Sequence, residues 1–379
     1  MTRASDTAKL LGAGGSILGS LDVGGGQIGG RRNIIINGAM QVAQRGTSST
    51  GLGANGDAFL LDRFRVTAAS TAGRYTMTQT ADGPSGFANC LKIACTTADT
   101  SIAAGENLVL VQGLEGQDLQ QFKKGTSDAE KFTVSFYVKG HDAATYTFEM
   151  FDGDNTRQVS QTFSVTTDWT RVILTFPADT TGAFGDDNGA SLYLQICLHA
   201  GSTFTSGTLN TSWASNTNAN RYSSDQNSIF ESTSATFFIT GFQLEVGSVA
   251  TPFEHRSFGE ELALCQRYTY IIKQSNGQFT SINRFGMGIT VNTTQVQLLL
   301  QHPVAMRAAP TLTTSGTASD YNMYSGAYNV ASSVVPALAD GSQYNSRINF
   351  VASSGLTAGQ GAMGTAANTD AFLLLSSEL

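Results

Sequence analysis

The sequence predicts an all-β protein: a β-sandwich, a short linking helix and a second, smaller β-domain, preceded by a glycine-rich arm. Three observations carry this. Period-two alternation recurs along the chain, as in Phe132, Val134, Phe136 and Val138 against Thr133, Ser135, Tyr137 and Lys139, the pattern of strands with one buried face. Clusters of Gly, Asn, Asp and Ser divide these runs, with 41 glycines against 6 prolines and only 13% charged residues, as antiparallel sandwiches require. A helical pattern appears in one short stretch after Pro252, beside one or two turns that Ser5 or Asp6 could cap through Ala8, Leu10 and Leu11.

Residues 1–32 stand apart. GAGG, GGG and GG interrupt a segment with little capacity to bury surface, which reads as a docking arm. Gly24, Gly26 and Gly29 match the dinucleotide fingerprint in form, but no strand precedes them and strand-like NIIIN follows, so both required contexts fail. From residue 33 to 256 strands are expected at Arg74–Thr80, Asn89–Cys95, Leu108–Leu114, Phe132–Val138, Tyr146–Phe151, Trp169–Phe176 and Leu192–Leu198. The last is expected to turn Ser191, Tyr193, Gln195 and His199 to solvent. In the run from Phe237 to Val246, Thr240, Phe242, Leu244 and Val246 share one face, with Gln243 and Glu245 on a wet one. Gly247 ends that strand, and Pro252 keeps the next piece extended. Ser257 and Glu260 form a capping box; Phe258, Leu262, Cys265 and Tyr268 make an apolar stripe on a helix over 257–268, the structural joint. Residues 269–379 restart the strand pattern with more Ala, Gly and Ser. No repeat of 20–50 residues is present, which argues against a solenoid.

Chemistry is sparse. His141, His199, His255 and His302 lie far apart in the sequence and outside any metal motif, and neither a G-x-S-x-G elbow nor a P-loop occurs. Carboxylate pairs suited to glycoside cleavage are not legible, because their separation is spatial. A net charge of −7 with scattered basic residues argues against a nucleic-acid surface. The absence of any run of about 20 apolar residues argues against membrane insertion. Cys90, Cys95, Cys197 and Cys265 show no metal spacing and read as buried free thiols, in keeping with synthesis in a reducing cytoplasm. Asp186 and Asp187 sit in an Asp-rich turn, a turn composition that also offers hard oxygen ligands for a structural Ca²⁺. Stretch 199–231 is rich in Ser, Thr and Asn around Trp213, Arg221 and Tyr222. Aromatic faces beside amide and hydroxyl donors suit a sugar, and the alternative is a structured loop anchored by Trp213. In the C-terminal domain Tyr321, Tyr324, Tyr328 and Tyr344 lie among Ser, Asn and Gly, a composition suited to adaptable recognition or to packing between subunits.

NIIINGAMQVAQRG (33–46), DRF (62–64), EGQDLQQFKKGTSDAEKFTVSFYVKG (115–140), ADTTGAFGDDNGASLYLQICL (178–198), GSTFTSGTLNTSWASNTNANR (201–221) and ITGFQLEVGSVATPFEHRSFGEELALCQRY (239–268) closely resemble segments of bacteriophage tail-fibre and related virion proteins. The likeness covers 33–268 well and the last hundred residues thinly. Where that family often has tryptophan, this chain has Phe136 and Phe242. The resemblance implies a jelly roll similar to carbohydrate-binding modules, no shared catalytic site, and a virion structural role. A homotrimeric tail fibre would dock other virion proteins through residues 1–32 and meet a host cell-surface glycan or protein, with host contact expected in 269–379 and the jelly roll as spacer. A head fibre or capsid decoration protein, and a glycan-cleaving enzyme, are the alternatives. The expected location is the virion, after synthesis in the bacterial host cytoplasm.

Overall fold

The computed structural model describes residues 31–273, 284–326 and 328–379. The chain divides into two compact units at Phe258/Gly259.

The first unit contains β1 (Ser48–Phe59), β2 (Arg65–Thr80), β3 (Cys90–Thr97), β4 (Asn107–Glu115), β5 (Phe132–Gly140), β6 (Ala144–Asp152), β7 (Arg157–Val165), β8 (Thr170–Phe176), β9 (Ala190–Ala200), β10 (Ala214–Ser215) and β11 (Thr236–Val246). Hydrogen bonds connect them in the order β10-β7-β6-β9-β4-β2-β3-β11-β5-β8, with β1 on β2. Strand β2 joins the two halves of this ladder: Arg65–Ala69 pairs with β4 and Arg74–Thr80 with β3. Between them Ser70 takes a positive φ of 55°, so the strand bends and the ladder folds over on itself. Phe136 of β5 meets Phe148 of β6 at 5.8 Å and Phe163 of β7 at 5.2 Å across the resulting core. The architecture is a jelly-roll β-sandwich.

Three stretches far apart in the sequence, 33–46, 62–64 and 239–256, converge on one clasp. Asn37, at φ 61°, donates to the carbonyls of Val42 (2.8 Å) and Asp62 (3.0 Å), and its Oδ1 accepts the N–H groups of Gln41 and Val42. Asn33 accepts from the Ile35 and Leu244 amides, and Arg256 donates to the Ile35 carbonyl at 2.8 Å. Gly38 passes so close to β11 that a Cβ there would stand 2.1 Å from the Phe242 carbonyl oxygen. Backbone cannot yield that much, so Gly38→Ala is expected to cost on the order of 2–4 kcal/mol in a urea titration; an unchanged midpoint would show that the clasp is loose. Residues 31 and 32 of the expected arm belong to this clasp through Arg32, whose guanidinium donates to Thr251 Oγ1 at 2.9 Å. Residues 1–30 lie outside the described residues.

The face of β11 expected to be wet is buried: Gln243 is 0% and Glu245 2% exposed. The extended segment after Gly247 folds back over them, with Glu254 N–H donating to Gln243 Oε1 at 2.8 Å and Thr251 N–H to Glu245 Oε2 at 3.0 Å. The outward side chains of the strand therefore act as a ladder for the crossing segment.

The second unit comprises nearly all of α2 (Phe258–Gln266), then β12 (Thr269–Lys273), β13 (Arg284–Thr290), β14 (Gln295–Gln301), β15 (Thr311–Thr314), β16 (Tyr321–Ser325), β17 (Tyr328–Ala331), β18 (Ala337–Gly341), β19 (Asn345–Val351), β20 (Gly361–Ala366) and β21 (Phe372–Ser376). They form a sheet β12-β21-β15 and a sheet β17-β16-β20-β13-β14-β19-β18 around Phe285, Leu298, Tyr321, Ile348, Phe350 and Leu373. The helix begins directly after Ser257, but its buried side is not the expected one. Phe258 is 56% exposed and Leu262 half-buried, while Glu261, Cys265 and Tyr268 are buried. The stripe is rotated toward Glu261, and Leu262→Asp is correspondingly expected to be milder than a core substitution.

Candidate functional site

Alternation in β2, β4, β6 and β9 turns Val66, Leu110, Phe148 and Leu194 into the core. The same alternation places Arg65 and Thr67, Asn107, Val109 and Val111, Glu149 and Phe151, and Tyr193, Gln195 and Cys197 on the opposite face of that sheet. Stretch 201–231 lies across this face. It begins with the helical turn α1 (Ser202–Thr205) and is held by Ser223 N–H on Thr147 Oγ1 (3.1 Å) and Ile229 N–H on the Leu198 carbonyl (2.8 Å). This cover explains why Gln195 and His199, expected to face solvent, are buried, while Ser191 is buried at the other end of the strand beside Gly116. Val109, Val111, Cys197 and Tyr222 form a small apolar cluster beneath it, and burial pushes the Cys197 thiol up to about 12. All four cysteines are buried, and none forms a disulfide.

Arg221 organises the covered face. Its Nε and Nη2 donate to Glu149 at 3.0 and 2.7 Å, and Nη2 also reaches Gln195 Oε1 at 3.1 Å. The guanidinium stands 5.8 Å from the Phe151 ring, 5.9 Å from Phe204 and 5.1 Å from Tyr222, where quadrupoles attract a cation. Burial pushes the Glu149 carboxyl above its ordinary value, against the pull of the Arg221 charge and hydrogen bonds.

Beside this pair a cleft of about 150 Å³ is left open, lined by Arg65, Thr67, Asn107, Val109, Val111, Gln195, Arg221 and Tyr222. Arg65 also approaches the Tyr193 ring at 5.8 Å. The cleft offers guanidinium, amide and hydroxyl groups around an apolar floor, the mixture that fixes a small polar ligand. A larger cavity of about 400 Å³ runs along Leu119, Lys123, Lys124, Asp128 and Phe184. Its buried cation is already engaged, since Lys124 Nζ lies 2.6 Å from Asp152 and 3.0 Å from Asp179.

The expected sugar residues are thus separated. Arg221 and Tyr222 reach the cleft, but Tyr222 is 1% exposed and cannot present a ring face. Trp213 is an anchor: its Nε1 donates to the Pro177 carbonyl at 2.9 Å, its ring meets Phe132 at 5.8 Å, and Lys124 stands 5.3 Å over it. In the second unit Tyr321 is core, its hydroxyl donating to the Phe372 carbonyl at 2.8 Å. Tyr324 is half-buried, on the outer face of β16. Tyr328 opens β17, with its side chain outside the described residues. Asp186 and Asp187 are exposed and serve the turn, as Asp187 Oδ1 accepts the Gly189 N–H at 2.7 Å. Sequence reasoning missed Arg65, Thr67 and Asn107. Gln195 was legible by alternation, but not the loop that would enclose it.

No family model and no curated protein matches the chain. Among solved structures, a CBM4 module aligns over 55% of this chain and 97% of its own, at 11% identity and TM-score 0.29. The module TmCBM61, solved with beta-1,4-galactotriose, aligns over 57% and 99%, at 10% identity and TM-score 0.30. The enzymatically active domain of bacteriophage CBA120 tailspike protein 4 aligns over 56% of this chain and 21% of that chain, at 11% identity and TM-score 0.29. At these scores the alignments identify neither a family nor a function.

Proposed function

We propose that the chain is a structural protein of a tailed-phage virion, a homotrimeric tail fibre, whose jelly roll binds a host-surface glycan in the cleft between β2, β4, β9 and Arg221. The cleft is the observation that carries the reading. It has a rigid wall, because Arg221 is forked onto buried Glu149, and a polar rim of Arg65, Thr67, Asn107 and Gln195. At about 150 Å³ it suits one sugar ring, a weak site whose affinity multiplies through several copies on one particle. The site binds without cleaving. Residues 1–32 dock other virion proteins.

Self-association is supported by the outer face of the second unit. A bulge between Arg284 and Gly286 reverses the alternation of β13, so Phe285 enters the core while Met287 and Ile289 are 76% and 49% exposed. Met287 pairs with Met363 of β20, which pairs with Tyr324 of β16, and Leu299 of β14 is 56% exposed. An apolar row of this kind marks an interaction surface. It also gives Tyr324 a packing role, which shifts the proposed host contact from 269–379 to the jelly roll.

Arg65→Ala with Asn107→Ala is expected to leave the fold intact and reduce binding to host surface polysaccharide at least tenfold in a surface-immobilised assay. Undiminished binding would remove the cleft from the reading, and release of reducing ends from the polysaccharide would turn it toward an enzyme.

A further inference from the structure

A second group of polar side chains sits at the far end of β9, outside the cleft. Among the described residues, one set of His, Cys, Asp or Glu side chains has ligand atoms that converge as a metal would require: Asp99, Glu106 and His199, all within 4.8 Å of one another. His199 Nε2 and Glu106 Oε2 are 3.2 Å apart. Two ligands of a tetrahedral zinc ion, each about 2.0–2.1 Å from it, stand roughly 3.4 Å apart. That pair already has the spacing, and the third carboxylate lies within a side-chain adjustment of it.

The three groups are 6%, 4% and 0% exposed, and two of them are acids. Among the described residues their ion pairing is limited to the contact between Glu106 and His199. Asp99 Oδ1 accepts the Ser101 N–H at 3.2 Å, but Oδ2 is buried with no hydrogen-bond partner. A buried carboxylate oxygen left in that state is costly, and a coordinated cation is one of the few ways to relieve it. The imidazole is held from behind: Nδ1 contacts Ser228 Oγ at 2.7 Å, that oxygen accepts the Phe230 N–H at 3.0 Å, and the Phe230 ring packs edge-on at 5.1 Å. Ordering of the remote ring nitrogen is the outer-shell arrangement that aims a histidine at a metal. Residues 100–105, which join the two acids, are exposed and give an ion a way in.

We propose that Asp99, Glu106 and His199 bind one divalent transition-metal ion of the zinc class, with water completing the shell. One nitrogen and two oxygen donors favour such an ion over calcium, which takes oxygen alone. In the metal-bound form the imidazole is neutral, with Nε2 on the ion and its single ring proton on Nδ1, donated to Ser228 Oγ; a proton displaced from the ligands leaves to solvent. The ion ties the 99–106 connection to β9 and to the end of the 201–231 cover.

The test uses untagged full-length protein stripped with a chelator and dialysed. Titration with Zn²⁺ in a calorimeter is expected to show one ion per chain and a raised Tm. Co²⁺ is expected to give the intense visible bands of a four-coordinate site in the wild type, a readout that needs no variant. Asp99→Asn, checked for folding by circular dichroism, is expected to weaken Zn²⁺ at least tenfold. The proposal is overturned by no saturable Zn²⁺ binding, by the pale spectrum of hydrated Co²⁺, by binding of Ca²⁺ in place of Zn²⁺, or by Zn²⁺ affinity unchanged in folded Asp99→Asn.

Discussion

Lys124→Met is expected to destabilise the jelly roll by about 3–5 kcal/mol. Its ammonium is 0% exposed and lies 2.6 Å from Asp152 and 3.0 Å from Asp179, which are 0% and 4% exposed. It also donates to the carbonyls of Thr181 (2.9 Å) and Gly182 (2.7 Å). Methionine fills the space but leaves two acids with less compensation. Burial alone would raise the Asp179 carboxyl, yet hydrogen bonds from Arg157 and Lys124, with the Lys124 charge, hold it below its ordinary value. A carboxylate depressed in the folded state adds stability above its unfolded pKa and loses it as pH falls through the folded one. Wild-type protein should therefore weaken on acidification below the ordinary carboxylate range, and the variant should show part of that slope removed. Urea midpoints at neutral and acid pH check both statements; equal midpoints for the two proteins at neutral pH would show the network to be dispensable.

Arg221→Met is expected to cost a similar amount, about 3–5 kcal/mol, because it leaves Glu149, whose side chain is 0% exposed, without its cation. Here the pH dependence has the opposite sign. Burial already raises the Glu149 carboxyl, and loss of the guanidinium raises it further. A group whose folded pKa exceeds its unfolded one opposes folding when ionised and stops doing so as pH falls through the folded value. The variant should recover stability on mild acidification, and adding Glu149→Gln should restore part of it at neutral pH. A deficit that neither acid nor the second substitution relieves would mean that Arg221 acts through packing on Phe151, Phe204 and Tyr222 alone.

The sandwich was legible where alternation is clean, in 132–138, 192–198 and 238–246. It was not legible at β1, SSTGLGANGDAF, which has four glycines or alanines in its centre and pairs through three register shifts. Alternation states which residues share a face, and says nothing of what covers the face. That is why Gln243, Glu245, Gln195 and His199 were read as wet: their covers are a crossing segment and a long loop without periodicity. The same gap hid the proposed cleft. Arg221 and Tyr222 stood out by residue type, but the placement of Arg221 as a wall of the cleft depends on Glu149, some seventy residues away, and the rim comes from strands with ordinary patterns. The helix at Phe258–Gln266 was legible from its spacing. Its buried side was not, because Glu261 is buried in place of Phe258.

Hydrogen–deuterium exchange of the full-length protein with and without polysaccharide from host cells tests the central claim most directly. Glycan binding in the outer-face cleft predicts slowed exchange at 65–67, 107–111 and 193–195, and in the 201–231 cover around Arg221. Slowed exchange confined to the strands of the second unit, or none anywhere while the polysaccharide is demonstrably bound to the protein, would contradict it.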